Sequence, residues 1–347
     1  MSALAKPQKI AYISFAQVVS MFAVVALHTN GCFWQFSPEL YWFSANIIEC
    51  VFYFAVPVFF MITGITLINF PERYSLKQYF SKRIVKTLIP FLVWSMIGLA
   101  YHLYFGNIQG SELSLISVID KTLSTKIVSI YWFLPTLFCI YLGLPLLAAV
   151  PKDKRNSIFL YLLLAGFTVN ALIPFVIKLL GLSISWPISL GMAGGHFIFV
   201  IGGVLLHENP LKRRHRFILY FSGIAALLAH IIGTYVLSIE AGTIVQTYKG
   251  YTNVPSIVFS FAVFVFLREV GTWVMSTGLK RFFDIVAGYS FPVYLMHWYI
   301  MDLIKRIFHP DILSLLYRLG APFVIILIVI LITWLLRKIP IVRRIVP

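Results

Sequence analysis

The stretch ANIIECVFYFAVPVFFMITGITLIN, residues 45–69, decides the fold: twenty-five residues hold one charged side chain, Glu49. A helix rises about 1.5 Å per residue, so roughly 20 apolar residues cross the ~30 Å hydrocarbon core of a bilayer. This run is long enough, and a lone acid within it demands a partner or a proton. Nine further runs of the same kind occupy 10–28, 84–106, 129–150, 157–177, 188–206, 217–238, 253–267, 283–304 and 319–336. The shortest is the eighth of the ten, 253–267.

Composition supports the same reading. With 60% hydrophobic residues, 12% charged residues and a mean hydropathy of +0.90, the chain does not describe a soluble domain of 347 residues. A net charge of +16 raises the question of nucleic acid, but its placement answers otherwise. With the N-terminus cytoplasmic, 21 of the 28 Lys and Arg fall in the even-numbered connections and the two termini, from Lys6 and Lys9 to Arg343 and Arg344. The opposite side receives Lys121, Lys126, Lys178, Lys249, Lys305, Arg306 and Arg318. This is the positive-inside pattern. It predicts an all-α, polytopic integral membrane helical bundle of about ten transmembrane helices, both termini cytoplasmic, as one membrane-embedded domain over residues 1–347.

Lys6 and Lys9 before an apolar run resemble a signal peptide, but the run is long and no small-x-small site follows, so a retained helix is expected. Cys32, Cys50 and Cys139 have no metal spacing and form no even framework; they read as small, mostly lipid-buried side chains. The longest connection is 107–128, on the outer side.

Titratable residues inside the spans gather at one depth: His28, Glu49, His102, His196, His230 and His297. Such groups are costly in hydrocarbon and usually line a wet cavity. If the helices converge, these residues share one that opens outward, with Trp132 at the outer start of the fourth span. Each has a plainer alternative: a hydrogen-bonded helix contact for His102 or His230, an interfacial cap for His28. A His28–Glu49 pair would orient an imidazole and raise its basicity, as a general base for a hydroxyl requires.

The second connection, FPERYSLKQYFSKRIVKTLIP (70–90), places Lys82, Arg83 and Lys86 at the start of the third helix, with Arg83 and Lys86 on one face. Cations beside a helix N-terminus suit a phosphorylated ligand, while the alternative is anchoring against anionic membrane lipid. A phosphate site inside and a base outside imply group transfer across the bilayer.

VPVFFMITG at 56–64 resembles the second-helix signature of membrane-bound acyltransferase family 3, in its surface-polysaccharide O-acetyltransferase branch. The resemblance continues in order through KRIVKTLIPFLVW (82–94), YWFLPTLFCIYLGLPLL (131–147), FIFVIGGVLL (197–206) and SFPVYLMHWYIMDLI (290–304). It implies an acyl-CoA-dependent enzyme of a bacterial inner membrane, moving an acetyl or short acyl group from cytoplasmic acetyl-CoA to a hydroxyl of a cell-envelope or extracellular polysaccharide. By the same resemblance His28 matches the catalytic base, Arg83 and Lys86 match the pair that holds the coenzyme A phosphates, and Ser290, Tyr294 and His297 stand near the site. Tyr294, Trp132 and Ser290 are candidates for oxyanion donor or sugar stacking.

The sequence departs from the family at one place. The basic residue expected eleven positions before His28 is Gln17, and the acid expected three before that is Ser14. Gln17 donates hydrogen bonds but carries no charge. Its expected place is along the donor's path. No metal or permanently bound cofactor is implied, because the histidines stand on separate helices without a carboxylate or thiolate set. Two other readings stay open: a glycan exporter or flippase sharing the fold without chemistry, and a solute/proton symporter, which lacks a visible inverted repeat.

Overall fold

The computed structural model describes residues 10–110, 113–340 and 342–346. Ten longer helical segments follow one another among the described residues, with the short helices Leu115–Leu123 and Lys280–Ala287 between them: α1 (Ala11–Thr29), α2 (Leu40–Glu72), α3 (Leu76–Tyr104), α4 (Ser129–Ala148), α5 (Lys152–Leu179), α6 (Phe197–Glu208), α7 (Arg213–Ala241), α8 (Val254–Val274), α9 (Ser290–Phe308) and α10 (Leu315–Leu336). Eight of them are long and apolar enough to cross a membrane. The exceptions are α9, which carries Asp302, Lys305 and Arg306, and α6, of 12 residues. The protein is a polytopic helical membrane bundle; the ninth predicted run, 283–304, is divided between the helix Lys280–Ala287 and α9, and the sixth is helical only over its second half. The eighth, shortest in the sequence, is a full 21-residue helix.

Polar ties sort the connections onto two faces. On one, Arg155 at the start of α5 bonds Asn69 at 2.8 Å and Glu208 at 3.2 Å, and Lys152 meets Glu72 at 2.7 Å. Arg216 pairs with Glu269, Ser14 donates to Asp284 at 2.6 Å, and Arg337 donates to the Gly288 carbonyl. These residues lie in or beside the even-numbered connections and the two chain ends, the basic side of the sequence. On the other face, Thr29 donates to the Arg318 carbonyl, Asn30 to that of Ala45 and Asn46 to that of Ile231. Lys6 and Lys9 lie outside the described residues.

Two spans are interrupted for the same reason. Pro90 and Pro174 lack an amide hydrogen, and each ring would collide with the carbonyl four residues before it. Each follows a widened π turn, Ile84–Leu88 in α3 and Thr168–Leu172 in α5, which opens the ladder there. In α5, Trp186 Nε1 donates to the Val169 carbonyl at 2.9 Å, and Asn170 Oδ1 accepts from the Leu190 amide.

The sixth run is the clearest departure. A span over 188–206 was expected, yet α6 begins only at Phe197. Pro187 cannot donate, and Gly195 sits at φ +52°, a left-handed conformation that ends the preceding segment. At about 18 Å, α6 does not cross a bilayer alone. It sits close against α2: a Cβ on Gly203 would lie 2.6 Å from the Met61 Cα, and one on Gly64 would lie 2.7 Å from the Val200 carbonyl. Small residues let two membrane helices approach to backbone contact. Around this pair the core closes on α1, which packs against α2, α8, α9 and α10.

Candidate active site

Between α1, α2, α3, α4 and α9 lies a cavity of about 1020 Å³. It runs along α1 from Gln17 to His28, eleven residues or about 16.5 Å apart on the helix axis. Arg83, Lys86 and Thr87 of α3 line it, as do Trp132 and Tyr141 of α4, Glu49 and Tyr53 of α2, and Ser290 and Tyr294 of α9. His196, Tyr251 and Thr252 enter from the connections. Eight of the ten site residues expected from the sequence therefore face one space.

The basic end is built by α3. Arg83 is half-buried, with its guanidinium 5.7 Å from the Tyr79 ring centre and 5.4 Å from that of Tyr141; its Nε has no hydrogen-bond partner among the described residues. Lys86, one turn on, is exposed at the opening. Lys82 differs from expectation: it does not line the cavity, and its Nζ lies 3.7 Å over the Tyr74 ring. The helix terminus also lies elsewhere. The first turn of α3 is capped by Ser75, whose side chain accepts from the Gln78 amide. Arg83 and Lys86 stand more than two turns beyond it, so their cationic heads act without the terminal N–H groups. What lies beside them is the π turn before Pro90.

At the other end, the His28 and His297 rings are 5.0 Å apart, tilted by 37°. His297 Nδ1 is 2.9 Å from both the Val293 and Tyr294 carbonyls, so it carries the hydrogen and donates to them. His297 Nε2 then bears the lone pair, fully buried and unpartnered among the described residues. His297 supports His28 from behind rather than lining the cavity itself.

The expected His28–Glu49 pair is not made. Glu49 Oε1 accepts from Lys249 Nζ at 2.8 Å, both side chains buried, and Glu49 Oε2 has no partner among the described residues. Lys249 arrives from the connection before α8, and its strong ammonium outcompetes a neutral ring at this depth. Tyr294 is also committed: its hydroxyl donates to the Ile130 carbonyl at 2.6 Å, leaving the ring, not the proton, for a ligand. Ser290 Oγ, buried at the start of α9, lines the cavity without a partner among the described residues. Two histidines belong elsewhere. His102 bonds the Ile127 carbonyl at 2.8 Å and Asn107 at 3.1 Å, tying α3 to the following connection. His230 is buried with its ring centre 5.4 Å from that of Tyr53. His102 takes the plainer hydrogen-bonded reading, whereas neither ring nitrogen of His230 has a partner among the described residues.

Sequence reasoning missed an aromatic wall. Tyr53 stacks on Tyr251 at 4.1 Å with a 3° interplanar angle, and Trp132 on Tyr251 at 5.4 Å and 26°. Burial and then the Glu49 charge push the Tyr251 hydroxyl well above its ordinary range, so it remains a neutral donor. The available signal was Lys249, a cation on the side poor in them, two residues before Tyr251.

A family model described as an acyltransferase domain, that of acyltransferase family 3, matches residues 10–337. The chain belongs to membrane acyltransferase family 3. No curated protein and no solved structure matches significantly. Within this acyltransferase the family's expected positions on α1, α3 and α9 converge on one cavity. At its departure from the family, Gln17 lines the cavity, and Asp284 comes from the helix Lys280–Ala287 to accept from Ser14, where the family places an acid.

Proposed function

We propose that this membrane acyltransferase is an O-acetyltransferase of a bacterial inner membrane, moving an acetyl or short acyl group from cytoplasmic acetyl-CoA to a hydroxyl of an envelope polysaccharide. The observation that carries the reading is the single cavity with Arg83 and Lys86 at one end and His28 at the other. The guanidinium and ammonium hold the phosphates of the donor, and the pantetheine arm extends along α1 past Gln17. The acceptor enters among Trp132, Tyr53 and Tyr251, where sugar rings stack on aromatic faces.

His28 accepts the proton of the acceptor hydroxyl as its oxygen attacks the thioester carbonyl. The new C–O bond forms, the C–S bond breaks, and the departing thiolate takes the proton back from His28. Ser290 Oγ, seven residues or about 10.5 Å down α9 from His297, stands on the donor's side of His28. Transfer is direct and needs no acyl-enzyme. The arrangement also weighs against a proton symporter, since Lys249 already neutralises the one acid in the cavity wall.

The test is protein reconstituted in lipid nanodiscs, supplied with acetyl-CoA and an acceptor glycan, with free coenzyme A and ester formation followed together. His28→Ala is expected to lower transfer by roughly 10²–10⁴-fold with folded protein retained. Transfer by that variant at the wild-type rate would remove His28 as the base.

A further inference from the structure

Glu49 is 3% exposed and faces the cavity, with one carboxylate oxygen held by Lys249 and the other, Oε2, unpartnered among the described residues. Lys249 is buried behind it, its Nζ 3.8 Å over the Tyr53 ring and 4.8 Å over that of Phe33, and does not line the cavity. The carboxylate is therefore an acceptor-only group in the cavity wall whose charge is already balanced. Trp34, Tyr53, Trp132, Tyr251 and Thr252 line the same end. A buried polar atom is normally satisfied, and an orphan facing a cavity marks a place where a ligand supplies the missing group.

We propose that Glu49 Oε2 and the aromatic wall form the acceptor subsite, and that this subsite selects a neutral, hydroxyl-rich sugar ring over an acidic one. The selection rests on the acyltransferase reading above and narrows its acceptor. Oε2 takes a hydrogen bond from a sugar hydroxyl while the ring lies on the aromatic faces. A uronate in the same place would set two acceptor-only oxygens against each other with no proton between them, which rejects it. The pair with Lys249 is neutral overall, so it exerts no pull on a cationic sugar.

The experiment uses the reconstituted full chain with acetyl-CoA and two probes, p-nitrophenyl β-D-glucoside and p-nitrophenyl β-D-glucuronide. The glucoside is expected to exceed the glucuronide in kcat/KM by roughly tenfold or more, the weight of one hydrogen bond to a charged group. Glu49→Gln alone strands the Lys249 ammonium, so it is tested together with Lys249→Met, which removes both charges. In that double variant the KM for glucoside is expected to rise roughly tenfold to a hundredfold and the discrimination to shrink, while acetyl-CoA binding persists. Equal use of both glycosides by the wild type, or an unchanged glucoside KM in the folded double variant, overturns the subsite. Transfer to neither glycoside, with acetyl-CoA bound and slowly hydrolysed, overturns it as well and leaves the acyltransferase reading intact. Failure of the wild type to bind or consume acetyl-CoA with any acceptor defeats that reading instead.

Discussion

His297 stands directly behind His28, their ring centres 5.0 Å apart, with its own Nδ1 fixed on two carbonyls of α9. The tautomer is thereby set: the nitrogen left over, Nε2, can only accept. A base that becomes cationic during each transfer gains from a neighbouring lone pair and would lose from a neighbouring cation. Replacing His297 with Phe keeps a ring of similar size and deletes the lone pair. This variant should lower kcat by roughly tenfold to a hundredfold with the KM for acetyl-CoA unchanged, measured by coenzyme A release. An unaltered kcat would reduce His297 to packing.

The basic end permits a comparison within one helix turn. Arg83 and Lys86 line the cavity, whereas Lys82 lies against Tyr74 outside it. Replacing Arg83 and Lys86 together with Gln should weaken acetyl-CoA binding at least tenfold and flatten its dependence on salt, as read by titration calorimetry in nanodiscs. Lys82→Gln should change neither, because its charge faces solvent and is screened. Equal effects from all three would return the cluster to anchoring against lipid.

Much of this was legible in the sequence because a bilayer imposes length and charge rules on every span. Those rules located the eight helices that are long and apolar enough to cross. They did not locate the break before α6, since 188–206 is apolar apart from Ser189 and His196 and only Pro187 and the glycines at 191, 194 and 195 hint at irregular backbone. Partner choice was also hidden. Glu49 and Lys249 are 200 positions apart, and no periodicity links a helix residue to a loop that folds over it. The minority of basic residues on the outer side held a usable clue: Lys249 and Arg318 are both buried there, and Arg318 bonds Asn30, Tyr41 and Ser44. Two of the seven outer cations, Lys249 and Arg318, thus have their partners inside the protein.

The buried pair predicts a stability result independent of catalysis. Glu49 and Lys249 are 3% and 2% exposed. Removing one partner leaves the other charge desolvated, at a cost of about 3–5 kcal/mol. Glu49→Gln should therefore lower the thermal midpoint in detergent more than the Glu49→Gln, Lys249→Met double variant does. A single variant as stable as wild type would mean that solvent reaches Lys249.

Gln17 is where this acyltransferase departs from its family, and its surroundings say what a charge would meet there. It lies on the same face of α1 as Ser14, three residues earlier, and Ser14 donates to the carboxylate of Asp284 at 2.6 Å. An arginine at 17 would thus enter a lined cavity with an acid one turn away, and an Arg–carboxylate pair is the geometry guanidinium favours. Gln17→Arg should insert and fold as the wild type does, and should leave acetyl-CoA affinity unchanged or raise it, because the added cation sits about 16.5 Å from His28 along the axis, on the donor's side. The measurement is donor binding in nanodiscs beside a size-exclusion check of folding. If the arginine variant aggregates, or folds and no longer binds acetyl-CoA, then position 17 is packed too tightly for the side chain and the donor's path does not follow α1.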